Sequence, residues 1–192
     1  VFEKDEFAGG LSTYGIVTLR EPTQVALDEA AFVEKLGVEI RTGVEVGKDV
    51  GIDHLLNDYD AVVFAAGTGR VPDLGVPGEE LGGVVEALPM VRASKLAYLD
   101  GLDGLRDIEV GDEVIVVGAG NTAIDAATIA KRLGAERVTM LYRRSRAEMS
   151  AYDHEVDLVR NEGVDIRFLT QPVEILGEGG RVTGVRCVRM KL

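Results

Sequence analysis

Residues 114–123 read Val-Ile-Val-Val-Gly-Ala-Gly-Asn-Thr-Ala, a glycine turn set between an apolar run and a segment of helical periodicity. No other stretch constrains the fold so tightly. A strand that ends in G-x-G-x-x-A and passes at once into a helix assigns a task to each small residue. Gly118 permits the tight turn, Gly120 lets the backbone approach a pyrophosphate, and Ala123 lets helix and strand pack closely. The helix N-terminus then offers unbonded N–H groups and the positive end of its dipole to an anion. The pattern predicts a dinucleotide site at Gly118, Ala119, Gly120, Asn121, Thr122 and Ala123. The alternative is a structural βα turn without a ligand.

The surroundings of the turn extend the same pattern. Glu113–Val117 is expected as the first strand, 122–133 as the helix and Arg137–Tyr142 as the second strand. A helix over 151–161 and a strand over 164–169 follow, and this alternation specifies an α/β fold with a parallel sheet. Segments 173–176 and 181–190 flank Gly179-Gly180 and read as an antiparallel hairpin with a primed turn. Upstream, a helix is expected at 90–98 and a linker at 100–111. Pro22 opens another helix, which Gly37 closes after Leu36. Short strands are expected at 1–3, 38–41 and 44–46, with a short helix at 52–56. Residues 60–66, Asp-Ala-Val-Val-Phe-Ala-Ala, read as a buried strand of a parallel sheet. The glycine- and proline-rich loop 67–83 marks a domain boundary, dividing the chain into 1–83 and 84–192.

The end of the second strand selects among dinucleotides. A site for NAD places an acid ~20 residues beyond the glycines, where it holds the ribose hydroxyls. Here that position carries Tyr142-Arg-Arg-Ser-Arg146, with no acid before Glu148. Residues 131–146 hold six bases and one acid, a net of +5 within a total of −12, so the remainder carries −17. Arg143, Arg144 and Arg146 can fork onto a phosphate, which favours the 2′-phosphate of NADP (as NADPH) over NAD. The alternative is a solvated basic patch.

Other chemistry finds little support. A net charge of −12 opposes general binding to nucleic acid or anionic membranes. Apolar runs fall far short of the ~20 residues of a membrane span, and no signal-peptide pattern opens the chain, so a cytoplasmic location is expected. The single cysteine, Cys187, excludes an intrachain disulfide, a C-x-x-C pair or an iron–sulfur site made by this chain alone. His54 and His154 lack ligand partners at metal spacing. No tyrosine has lysine four places on, and G-x-S-x-G is absent. No catalytic side chain and no metal are therefore expected. Hydride transfer between cofactors asks for alignment of rings more than for acid–base groups.

Several further motifs occur in a characteristic order. They are Glu3-Lys-Asp-Glu-Phe-Ala-Gly-Gly-Leu11, Tyr14-Gly-Ile16, Leu19-Arg-x-Pro22, Leu36-Gly-Val38, Phe64-Ala-Ala-Gly-Thr68, Val76-Pro-Gly-Glu79, Gly118-Ala-Gly-Asn-Thr-Ala-Ile-Asp125 and Tyr142-Arg-Arg144. With them the chain resembles the glutamate synthase small subunit and the N-terminal flavin module of dihydropyrimidine dehydrogenase, over nearly its whole length. The resemblance implies that NADPH reduces FAD and that electrons pass through iron–sulfur clusters, held outside this chain, to a larger electron-accepting subunit or domain. It implies that Glu3 holds the FAD ribose, with Gly10, Leu11, Arg20, Val46 and Thr68 near the flavin nucleotide. It places Ala119 to Thr122 on the pyrophosphate of NADPH, with Arg143 and Arg144 on its 2′-phosphate. Dihydropyrimidine dehydrogenases carry a base where this chain has Ser150, which leaves Arg146 as a substitute.

The implied architecture is a Rossmann-like NAD(P)-binding domain, a parallel sheet plus an antiparallel hairpin, preceded by part of a second Rossmann-like FAD domain. The resemblance also implies that these residues form the middle of a longer protein. A glycine turn for FAD, a C-terminal flavin segment and cluster cysteines are not among them, so this stretch by itself should hold FAD weakly and lack redox activity. Three readings follow: a flavin-dependent NADPH oxidoreductase, an NADP(H)-binding module, and an inert α/β domain or electron-transfer partner surface whose glycine turn is only structural.

Overall fold

The computed structural model describes residues 1–68, 71–99, 101 and 108–192. The linker expected at 100–111 lies mostly outside the described residues. The chain divides into two compact units, Val1–Arg70 and Val71–Leu192.

In the first unit, α1 (Leu11–Tyr14), α2 (Thr23–Lys35) and α3 (Ile52–Asp58) accompany a pairing of two extended segments. The Arg41 N–H donates to the Val1 carbonyl and the Glu3 N–H to the Arg41 carbonyl, both at 2.9 Å. The Val44 N–H then donates to the Glu3 carbonyl, also at 2.9 Å. The strands expected at 1–3, 38–41 and 44–46 therefore reduce to isolated bridges, Phe2 with Arg41 and Val46 with Val50. Pro22 sits immediately before α2 with φ −56°, as a helix start requires, and Gly37 adopts φ 96° just beyond its end. The helix buries only Thr23 and Ala26, while Val25, Phe32, Val33 and Leu36 stay exposed.

The expectation for residues 60–66 is corrected. They form no strand, and Val63 and Phe64 are 87% and 66% exposed. A strand in a parallel sheet exists through lateral hydrogen bonds to neighbours far away in sequence. No described strand pairs with this run, so its apolar composition alone does not make it one.

The second unit contains α4 (Ala87–Leu99), β1 (Glu113–Val117), α5 (Asn121–Arg132), β2 (Arg137–Tyr142), α6 (Asp153–Asn161), β3 (Asp165–Phe168), β4 (Thr170–Glu178) and β5 (Arg181–Arg189). Strands β1, β2 and β3 form a parallel sheet in that order. Its core joins Val138 and Met140 of β2 to Ile124, Ala127 and Ala130 of α5 and to Val156 and Val159 of α6. Small residues on α5 allow the helix axis to lie close to the sheet, and the buried apolar surface provides most of the stabilisation. Lys95, Asp125 and Glu155 are also buried, one on each of α4, α5 and α6, and each is engaged in an interaction. Buried charges persist only when compensated.

Strands β4 and β5 pair antiparallel around Gly179 and Gly180, whose φ values of 59° and 80° match a type I′ turn. The preceding loop packs along this hairpin: the Ile175 N–H donates to the Pro77 carbonyl at 2.8 Å and the Val182 N–H to that of Gly82 at 2.9 Å. These bonds attach residues 71–83 to the second unit, so the compact units meet thirteen residues before the expected boundary at 83. Among the described residues no helix is long and apolar enough to cross a membrane.

Candidate functional site

The parallel register brings the glycine turn and the arginine loop to one edge of the sheet. Val117 lies opposite Leu141, and Tyr142 opposite Phe168, so the segments leaving β1 and β2 emerge side by side. Ligands of open α/β sheets bind at the carboxyl ends of such strands.

Gly118 takes φ 127°, a region that L side chains rarely adopt, and its N–H donates to the Leu141 carbonyl at 2.9 Å. The tight turn thus needs glycine for a backbone reason. Ala119 and Ala123 are buried; a Cβ on Gly118 would lie 3.5 Å from that of Ala123, which a larger residue at 123 would crowd. Gly120 precedes α5 in an extended conformation and supplies no side-chain cap. Its carbonyl accepts from the N–H groups of Ala123 and Ile124, at 3.0 and 3.1 Å. The earlier N–H groups of the helix have no acceptor within it, as at any helix start.

One polar atom at this point has no partner: Asn121 Oδ1 is buried without a hydrogen bond. Buried acceptors are nearly always satisfied, so an unsatisfied one beside an uncapped helix start fits a ligand that supplies a donor. The unbonded N–H groups of this helix start fit the pyrophosphate of a dinucleotide, which accepts hydrogen bonds, and the Asn121 oxygen fits a hydroxyl donor such as those of its ribose. The sequence marked Asn121 for its backbone; its orphaned side-chain oxygen had no sequence signal.

Beyond β2 the backbone is held from two sides. The Leu169 N–H donates to the Arg144 carbonyl at 3.0 Å, and the Tyr142 hydroxyl donates to the Glu148 carbonyl at 2.6 Å. Ser145 and Glu148 close a reciprocal capping box, the Ser145 N–H donating to the Glu148 carboxylate at 2.9 Å. Arg143 and Arg144 are exposed, and no ion pair involving either is found among the described residues. Arg146 differs: its guanidinium donates to Asp153 at the start of α6. Three arginines were expected to face a phosphate together; two form no ion pair among the described residues and the third carries a counter-charge.

Hydrogen bonds from the Ser145 backbone and then its hydroxyl hold the Glu148 carboxyl below its ordinary value, with Arg144 adding a smaller effect. A depressed acid contributes stability that is present above its unfolded value and is lost as pH falls through the folded one. The capping box should therefore survive through the usual carboxylate range and open only in stronger acid. A carbon-detected NMR titration of Glu148 with a midpoint at or above 4.5, its ordinary value, would contradict this.

The residues expected near a flavin lie in the first unit. Glu3 accepts the Asp5 N–H at 2.9 Å, Gly10 precedes α1, and Leu11 at its start is exposed. Arg20 is engaged in an interaction, Val46 makes its bridge to Val50, and Thr68 is exposed. No βα phosphate turn occurs among the described residues of this unit. Cys187 is partly buried, and burial pushes its thiol up despite the opposing influence of Arg167. No group of three or more His, Cys, Asp or Glu side chains able to hold a metal ion is found among the described residues.

A parallel sheet with a glycine turn at its carboxyl edge, followed by a hairpin, defines a Rossmann-like α/β unit. The chain belongs to the pyridine nucleotide-disulphide oxidoreductase family, whose pattern it matches over residues 33–190. It is 40% identical, over its full length, to the beta subunit of NADP(+)-dependent formate dehydrogenase of Moorella thermoacetica, of which it covers 26%. It is also 40% identical to the glutamate synthase [NADPH] small chain of Halomonas elongata, covering all of this chain and 41% of that one. The beta subunit of NADPH-Fe(3+) oxidoreductase of Geobacter sulfurreducens is 38% identical over 97% of this chain and 27% of its own length. The chain thus spans from about a quarter to under half of these relatives. Among solved structures, FprA of Mycobacterium tuberculosis in complex with NADPH matches with a TM-score of 0.72 at 18% identity, over 100% of this chain and 62% of that one. That likeness establishes the fold.

Proposed function

We propose that the second unit binds NADP(H) and delivers its reducing equivalents to FAD within a flavoprotein oxidoreductase of the glutamate synthase small-chain type. The carrying observation is the juxtaposition, at one sheet edge, of an uncapped helix start bearing the orphaned Asn121 Oδ1 with the exposed pair Arg143 and Arg144. The relatives named above carry NADP or NADPH in their own names, which supports the phosphorylated dinucleotide.

The chain's own residues bind and orient. Gly120 clears the approach to the start of α5, whose N–H groups and dipole take the pyrophosphate, while Asn121 Oδ1 accepts from a ribose hydroxyl of the dinucleotide. Arg143 and Arg144 hold the 2′-phosphate with charge-assisted forked hydrogen bonds. The bound nicotinamide supplies a hydride to FAD. Glu3, Gly10, Leu11, Arg20, Val46 and Thr68 are assigned to the flavin side in the intact protein. A larger electron-accepting subunit or domain and a cytoplasmic setting complete the proposal.

A second reading, an NADP(H)-binding module with no redox step of its own, is favoured by the lack of a phosphate turn among the described residues of the first unit. The visible spectrum of the purified chain, recorded without air before and after NADPH, separates the two. A flavin spectrum that bleaches supports the oxidoreductase reading for the chain itself. A colourless protein that still binds NADPH supports the module, with the redox chemistry belonging to a larger assembly. A colourless protein without affinity for NADPH defeats both.

A further inference from the structure

The loop that leaves β2 carries a third arginine whose arrangement differs from that of its neighbours. Arg146 is about one-third exposed and directs its guanidinium at Asp153, which is 92% exposed at the first turn of α6. The other acid of this loop, Glu148, is engaged by Ser145. Asp153 is thus the acid set against the arginine. Arg146, Met149, Ser150, Tyr152 and Asp153 line one open recess. The recess adjoins the glycine turn, because Ser150 Oγ lies 3.4 Å from where a Cβ on Gly120 would stand.

We propose that Asp153 is a specificity-determining residue that limits the preference for NADPH over NADH by placing a negative charge on Arg146 within the phosphate-binding loop. The inference rests on the reading that this edge binds NADP(H). A 2′-phosphate brings up to two negative charges to the loop. With Asp153 present, the Arg146–Asp153 pair contributes no net charge to meet them. Without it, Arg146 adds a full positive charge and all its donors. NADH carries no such phosphate and is indifferent to the change, apart from its pyrophosphate farther along the site. The backbone of the loop is fixed independently by the Ser145–Glu148 box and the Tyr142 hydroxyl, so removing Asp153 alters charge rather than loop shape. Because Asp153 faces water, screening keeps the effect moderate.

The test is calorimetric titration of the intact protein with NADPH and with NADH, in wild type, Asp153→Asn, Arg146→Ala and the double variant. In Asp153→Asn the NADPH affinity should rise about three- to tenfold while NADH affinity changes less than twofold. The gain should shrink as salt is added and should vanish when Arg146 is already alanine. An unchanged or lower NADPH/NADH ratio in Asp153→Asn, or a gain that persists without Arg146, overturns the proposal. A wild-type protein that prefers NADPH while Asp153→Asn behaves identically defeats this inference alone. A wild-type protein that does not discriminate between the two dinucleotides defeats it together with the NADP reading.

Discussion

Gly120→Val is expected to abolish dinucleotide binding while leaving the fold intact. Gly120 has φ −89° and ψ 177°, extended values open to any residue. A Cβ there would meet only Ser150 Oγ, at 3.4 Å, and that hydroxyl is on an exposed residue free to rotate. The protein itself therefore does not require glycine at this position. A pyrophosphate does, because two branched carbons would stand where it must approach the first N–H groups of α5. Losing two charge-assisted hydrogen bonds at ~1.5–3 kcal/mol each weakens binding by at least about 100-fold. Gly118 is the poorer test, since its φ of 127° makes any side chain strained and mixes folding with binding. Titration with NADPH beside a thermal melt reads both quantities. Unchanged affinity with an unchanged melt would falsify the phosphate role of the turn.

Replacing Arg143 and Arg144 together with alanine should cost NADPH about 1–3 kcal/mol for each lost charged contact. NADH should lose far less. Both side chains are exposed, and the backbone of Arg144 stays tied to Leu169 whatever its side chain. The double variant should therefore fold normally, and its discrimination between the two dinucleotides isolates the 2′-phosphate. Competition binding against both cofactors at fixed salt measures this ratio. Equal losses for NADPH and NADH would return the arginines to the status of a solvated basic patch.

The contrast between these arginines and Arg146 shows where sequence reasoning stops. All three occur within four residues and carry the same charge, yet Arg146 is met by Asp153 from the next helix. Seven positions separate the two in the chain, with the turn of 3₁₀ helix at Arg146–Glu148 and the extended residues after it between them. Asn121 gives a similar lesson. Its place in the motif marked the backbone as a ligand to phosphate, but whether its side-chain oxygen finds a partner depends on everything packed around it.

By itself the sequence determined the local elements whose cause is local. The glycine turn with its flanking strand and helix follows from small residues at fixed spacing and hydrophobic periodicity, and the Gly179-Gly180 hairpin from paired positive φ values. The basic stretch from Lys131 to Arg146 was equally legible, since charge needs no coordinates. The tertiary structure alone decided what depends on partners. Residues 60–66 have strand composition without a strand, because a strand exists through lateral bonds to remote neighbours. Residues 71–83 join the second unit because hairpin amides bond to their carbonyls. Lys95, Asp125 and Glu155 lie buried, because helix packing sets which face meets the core. Local periodicity specifies how a segment turns; its neighbours in space specify what that segment becomes.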